Sequence, residues 1–250
     1  MKIPAGTKID NAGDEETDWT FPEGTVFLKH FSDPLDDDRP IETRVLIQGP
    51  ETIVAGVTYR WNEDRSDAVM VKEREEMNIP VASVIGSGGP ISFSHILPGP
   101  NDCVVCHTRD NCVLGLNVLQ MNRSVRIDLV LDSSEASGYG SVARSPVASA
   151  IGSEANQLVD WSEKGMFTER YSEESVRTLK SLVPIEDDNP SNEDSIALRA
   201  RSYLHSHCSF CHHPEGTQRT VFDARFLTPL KDSKMVREKA RTGSRYKLLN

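Results

Sequence analysis

The chain has 250 residues, with 28 Lys and Arg against 38 Asp and Glu and a formal net charge of −10. That length is enough for one large domain or roughly two to three small ones with real cores, and the 37% apolar content sets a modest core. No run approaches about eighteen apolar residues, so the sequence holds no transmembrane helix.

In chain order, residues 1–20 are acidic and polar and read as a lead-in arm. Residues 21–98 read as an antiparallel β-rich module. Thr25–Phe31 follows the turn pair Glu23-Gly24, and Ile41, Thr43, Val45 and Ile47 alternate onto one inward face. Val57, Tyr59 and Trp61 form another inward set, and Ala68–Val71 a fourth strand. Gly86–Pro90 lacks the lysine and the strand–helix frame of a phosphate-cradling loop and reads as a turn.

After Pro98-Gly99-Pro100 the signals turn helical, and residues 99–185 read as a helical module. Asp102 is placed to cap a short helix, Leu114–Arg123 forms a second, and residues 132–153 make a surface loop. Ser153–Asn156 opens a helix with Leu158 and Trp161 inward and Gly165 at its end. Ser172 opens another that carries Val176, Leu179 and Val183 and stops at Pro184. Residues 186–194 are a charged linker. Ser191 and Asp194 then cap a helix into residues 195–250, with Ala197, Ala200 and Leu204 on its inner side. Charge divides at that linker: residues 1–194 hold 17 basic and 34 acidic side chains (−17), residues 195–250 hold 11 and 4 (+7), which sums to −10. A basic tail without a nucleic-acid motif reads first as a solvated helix surface, and next as a docking face for an acidic partner.

The strongest signal is a repeated string. Cys103-Val-Val-Cys106-His107 and Cys208-Ser-Phe-Cys211-His212 both spell C-x-x-C-H and use four of the five cysteines. C-x-x-C alone is ambiguous between thiol redox chemistry, zinc and haem. The trailing histidine, present twice, favours covalent haem c: each thiolate adds across one vinyl group, and the adjacent imidazole binds iron from the proximal side. Cys103, Cys106, Cys208 and Cys211 are therefore the attachment residues, and His107 and His212 the proximal ligands. A single zinc site made from the four thiols is the weaker reading, because about a hundred residues separate the pairs.

Distal ligands are poorly marked. Met121 follows His107 at a workable distance, and Met70, Met166, His30 and His95 are further options for that haem. Met235 is the candidate for the second haem, in a segment that looks helical and exposed. For each, an ordinary packing role outweighs ligation. His205, His207 and His213 crowd the second string and read as helix-face or surface histidines. Cys112 is left over and reads as a buried, inert thiol.

Several strings together are similar to a family of exported bacterial dihaem c-type cytochromes: Phe21-Pro22-Glu23-Gly24-Thr25-Val26, Ile41-Glu42-Thr43-Arg44, Tyr59–Asp64, Asp102–Thr108, Leu114–Asn117, Asn156-Gln157-Leu158 with Trp161, and Ala200–His205 ahead of Cys208. The resemblance spans residues 21 to about 230. It implies haem attachment and electron transfer, and small cytochrome c-like helical modules around each haem. The family pattern continues past Asn250 to a methionine near a proline, so the last module is expected to be incomplete here. His207 departs from the family, which more often has asparagine at that place.

The expected fold class is α+β: an antiparallel β-rich N-terminal module followed by mainly α-helical cytochrome c-like haem modules. The expected function is electron transfer through two covalent haems to an unidentified redox partner protein, with no nucleic acid and no transmembrane segment involved. The alternative is a peroxidase-like dihaem oxidoreductase with one five-coordinate haem. Met1–Lys8 has no apolar h-region. Because haem is attached after export, the expected location is periplasmic or otherwise extracytoplasmic, with a leader trimmed or the chain a fragment.

Overall fold

The computed structural model describes residues 1–33, 36–81, 91–107, 113–127, 153–183, 193–214, 216 and 222–235. Gly86–Pro90, the loop expected over 132–152, Cys112, Ser191 and residues 236–250 lie outside the described residues.

β-Branched and aromatic alternation produces a four-stranded antiparallel meander: β1 (Val26–Asp33), β2 (Asp36–Gln48), β3 (Ile53–Trp61) and β4 (Ala68–Val71), in that spatial order. Register pairs Leu28 with Val45, Val45 with Val57, and Tyr59 with Met70. β5 (Glu75–Val81) and β6 (Ile91–Leu97) form a separate antiparallel pair.

The face of the meander that is covered differs from the one its alternation suggests. Side chains two apart on a strand share a face, so Glu42, Arg44 and Leu46 of β2 lie beside Gly56 and Thr58 of β3. This is the covered face: Glu42, Thr58 and Val71 are almost wholly buried on it. The expected inward set is covered only towards one end: Ile41 and Thr43 are buried, while Ile47, Tyr59 and Met70, with Leu28 beside them, are exposed. The apparently polar face buries its carboxylate beside Arg44 and His95, although neither Glu42 oxygen accepts a hydrogen bond. Arg44 Nη2 is 2.5 Å and His95 Nε2 3.4 Å from Glu42 Oε1.

Residues 1–20 enter the core. Ile9 bridges to Phe167 and Asp10 to Thr20, and Lys2 pairs with Val26. Ile9, Trp19, Phe21, Phe27, Val118, Met121, Leu158 and Phe167 belong to one buried cluster, which draws on residues from Ile9 to Val176. Its centre is aromatic, with Trp19 and Phe167 edge to face at 4.8 Å and Phe167 against Tyr171 at 5.5 Å.

The expectation of mainly α-helical haem modules is overturned. The described residues are β-rich, with antiparallel sheets and helices that are few and mostly short. Among the described residues between 99 and 185 the helices are α1 (Pro100–Cys106), α2 (Val118–Met121), α3 (Gln157–Glu163) and α4 (Glu173–Val176). Ser153–Asn156, expected to open a helix, is instead strand β8, paired with β7 (Ser124–Ile127).

Local signals placed several of the starts correctly. Asn156 caps α3 by accepting from Leu158 N at 2.9 Å, Ser172 caps α4, and Gly165 takes the left-handed conformation (φ 72°) just past α3. Tertiary contacts then shorten the helices. Continuing α4 would bond Lys180 N–H to Val176 C=O, but Glu15 Oε1 accepts the first (3.0 Å) and Asn122 Nδ2 donates to the second (3.1 Å). Likewise Gly115, at φ 82°, turns the chain before Asn117 caps α2, so Leu114–Arg123 yields one helical turn rather than a full helix.

Among the described residues only α5 (Glu193–Cys208) is long. It buries Ser202 and His205, while Ala197 and Ala200, expected on its inner side, are exposed. Beyond it, residues 222–235 run as turns and extended chain, including the Met235 segment expected to be helical.

Candidate functional site

The first C-x-x-C-H string is built on α1. Pro100 occupies its first turn, and Asp102 Oδ2 accepts from Gly99 N at 2.9 Å, which fixes the helix start. One turn later His107, the C-cap, donates its backbone N–H to Cys103 O at 3.0 Å. Positions i, i+3 and i+4 of a helical turn lie on one side. Cys103, Cys106 and His107 therefore share a side, and the intervening Val104 and Val105 are 55% and 66% exposed. Cys103 is buried against β3 at Gly56, where an added Cβ would stand 2.8 Å from its Sγ. Only the absence of a side chain at Gly56 lets α1 approach the sheet so closely.

The second string takes the same local shape at the end of α5. Cys211 N and His212 N both donate to Cys208 O, at 3.1 and 2.8 Å. The His212 ring stacks on Phe222 (centroids 4.4 Å apart, planes at 24°), and its backbone carbonyl accepts from Ala224 N at 2.8 Å. His212 Nδ1 is buried without a hydrogen-bond partner.

A polar network ties residues 222–228 to α5. His205, 2% exposed, accepts Phe226 N at Nδ1 (3.1 Å), and Leu227 N donates to Glu16 Oε1 at 2.7 Å. Arg201 donates to the carbonyls of Phe226 and Thr228, and Asp223 holds Arg225 through both carboxylate oxygens. Burial, with Arg225 nearby, drives the His205 pKa down to about 4.

The thiols are not arranged for thiol chemistry. Burial raises Cys103 above the usual thiol range, and burial together with the nearby Cys211 raises Cys106. Cys106 closes its helix, where the carbonyl end of the dipole disfavours a thiolate; reactive C-x-x-C cysteines sit at helix N-termini with depressed pKa values. None of the four thiols is in a disulfide, and among the described residues no three His, Cys, Asp or Glu side chains converge as on a metal ion. One shared zinc site is thus not formed by Cys103, Cys106, Cys208 and Cys211.

The distal candidates are scattered. Met121 lies in the aromatic core cluster, 7% exposed, and Met166 packs against it. Met70 is exposed on the outer face of the meander, and Met235 sits in a turn where its N–H meets Ser233 Oγ. His30 bonds Thr43 Oγ1, His95 faces Glu42, and His207 stacks on Tyr203 at 4.2 Å. His213 lies in the turn after the second string, where its carbonyl accepts from Gly216 N.

Two contributors escaped the sequence. Gly56 reads as a weak spot in a strand, and the signal that could have marked it is a lone glycine inside a β pattern. Glu42 and Arg44 read as outward polar residues, and two opposite charges at i, i+2 on one strand face were the available hint.

Comparison of the chain with protein-family models, with curated proteins and with solved structures finds no match. Among the described residues no helix is long and apolar enough to cross a membrane.

Proposed function

We propose that this chain is an electron-transfer dihaem c-type cytochrome that works outside the cytoplasm with a protein redox partner. The observation that carries this reading is that two otherwise different segments close the same hydrogen-bonded turn at C-x-x-C-H. In each, the histidine N–H closes a helical turn onto the first cysteine carbonyl, so both sulfurs and the imidazole share one side. The raised pKa values of Cys103 and Cys106 argue against a dithiol oxidoreductase at the first string, and the non-convergence of the thiols against a zinc knot.

The resemblance to exported dihaem cytochromes supports the same conclusion. In it Cys103 and Cys106 hold one haem and Cys208 and Cys211 the other, with His107 and His212 as proximal ligands. Haem supplies a reversible one-electron couple. The protein's part is to bury each string on one flank, orient the imidazole and exclude water from it. For the first haem the meander and Gly56 provide that wall; for the second, Phe222 and the strap held by His205 and Arg201 provide it.

The test is the intact mass of the chain expressed with a working c-type maturation system. Two covalent haems are expected, retained through acid–acetone extraction. The mass of the bare polypeptide ends the proposal. A second reading, a peroxidase-like oxidoreductase, is favoured by the placement of Met121 in the core cluster, away from an axial role. A high-spin haem signal with peroxide turnover would select it, and two low-spin six-coordinate haems would select electron transfer.

A further inference from the structure

The meander has a second face, turned away from Gly56 and Cys103, and its chemistry is unlike that of the covered one. Three neighbouring rows of the register define it. Leu28, Val45 and Val57 make the middle row, Ile47 stands in the row on one side, and Thr43, Tyr59 and Met70 stand in the row on the other. No Asp, Glu, Lys or Arg occupies any of these rows. The charges of the same stretch, Lys29, Glu42, Arg44 and Arg60, alternate onto the opposite face. Leu28 is 51% exposed, Met70 44%, and Ile47 and Tyr59 36% each.

Polar groups on this face are spent on one another. Thr43 Oγ1 accepts from Trp61 Nε1 at 2.9 Å and bonds His30 Nδ1 at 2.7 Å. The face can therefore give up its water with little loss of hydrogen bonding. Strands about 4.8 Å apart and rows about 7 Å apart give it roughly 300 Å² in plan. Apolar patches of that size on a soluble chain mark sites of association. Two of them face to face would bury on the order of 800 Å² in total, which suits a weak complex and not an obligate one.

Charge decides the occupant. A partner recognised by its charge finds no counterpart here, whereas a second copy of the chain presents the same uncharged rows. With a net charge of −10, two copies repel one another across most other surfaces. Pairing about a two-fold axis leaves the exposed acids of the flanking turns, Glu51, Glu63, Asp64 and Asp67, at the rim.

We infer that the chain forms a weak two-fold homodimer, sheet on sheet, through the face that carries Leu28, Val57, Tyr59 and Met70. The contact lies on the side of the sheet away from Cys103, so it does not depend on haem at the first string.

The test is analytical ultracentrifugation of the protein prepared with the c-type maturation system, from about 5 µM to about 500 µM. The weight-average mass is expected to climb from that of one 27.8 kDa chain with its haems toward twice that value. Added salt should strengthen the association, because it screens the acids at the rim. Leu28→Lys and Met70→Lys, on the first and last strands, should each weaken it by at least about tenfold. Both positions are exposed, so the wild-type circular dichroism and urea midpoint should be kept, and either variant alone suffices if the other misfolds. Val69→Lys, at a residue 61% exposed on the other face of β4, should leave the association unchanged. A monomer at about 500 µM overturns the inference, as do assemblies that grow beyond two copies. Dimers indifferent to both face lysines, or weakened equally by Val69→Lys, overturn it too. A monomer that binds neutral phosphatidylcholine vesicles assigns the face to a membrane surface and rules out the dimer.

Discussion

His205 gives the sharpest quantitative expectation. Its ring is 2% exposed and its Nδ1 accepts Phe226 N–H, so the folded state holds it neutral, with a pKa near 4 against 6.5 in the unfolded chain. Because the folded pKa is the lower one, the unfolded chain binds the extra proton between those values, and stability falls as pH falls through that window. Each unit is worth about 1.4 kcal/mol, so moving from about pH 7.5 to about pH 5 costs about 2 kcal/mol through this one residue. His205→Asn keeps an acceptor for Phe226 N–H and removes the titration. Its stability at about pH 7.5 should drop by roughly 1–3 kcal/mol for the lost ring packing. Its further loss on acidification should be about 2 kcal/mol smaller than that of the wild type. Urea midpoints at the two pH values read this directly, as a difference on the order of 1 M given slopes of about 1–3 kcal/mol per M. The Glu16 carboxyl, raised by burial, acts in the opposite direction, and its Oε1 lies 3.8 Å from His205 Nδ1, so the comparison reads the two groups together. Equal pH dependence in the two proteins would refute the claim that His205 is buried neutral beneath the 222–228 strap.

Gly56→Val should lift α1 from the sheet, because a Cβ there would stand 2.6 Å from the Cys103 Cβ. The expected cost is about 1–3 kcal/mol, with mass spectra showing chains that carry one haem, at the second string, beside those carrying two. Full two-haem loading at wild-type stability would show that the close approach is dispensable. Phe167→Ala, at 1% exposure in the aromatic core, should lose about 3–5 kcal/mol by denaturant titration. In protein prepared without haem, Cys103 should alkylate more slowly than Cys208 at about pH 8, since Cys103 is the more buried and its pKa is raised by burial. Timed mass spectrometry of labelled peptides reads the order. Asn156→Ala should cost about 1 kcal/mol by removing the cap of α3.

What the sequence by itself determined is whatever rests on nearest neighbours along the chain. Alternation placed the four strands of the meander, Asn156 and Ser172 mark helix starts, and C-x-x-C-H defines a closed turn that needs nothing beyond its own five residues. The tertiary structure alone decided which side of the meander is covered, because burying Glu42 depends on Arg44 and on His95 from a strand some fifty residues away. It also decided how long the helices run: the carbonyls and amides that would extend α4 are taken by Asn122 and Glu15, which come from other segments. The same holds for residues 1–20, whose acidic composition suggests an arm while Ile9 and Trp19 find their apolar partners only around Phe167. Local hydrogen bonds and side-chain periodicity are written within a few residues. Desolvation and charge pairing depend on groups that only the folded chain brings together, and so they cannot be read until it has closed.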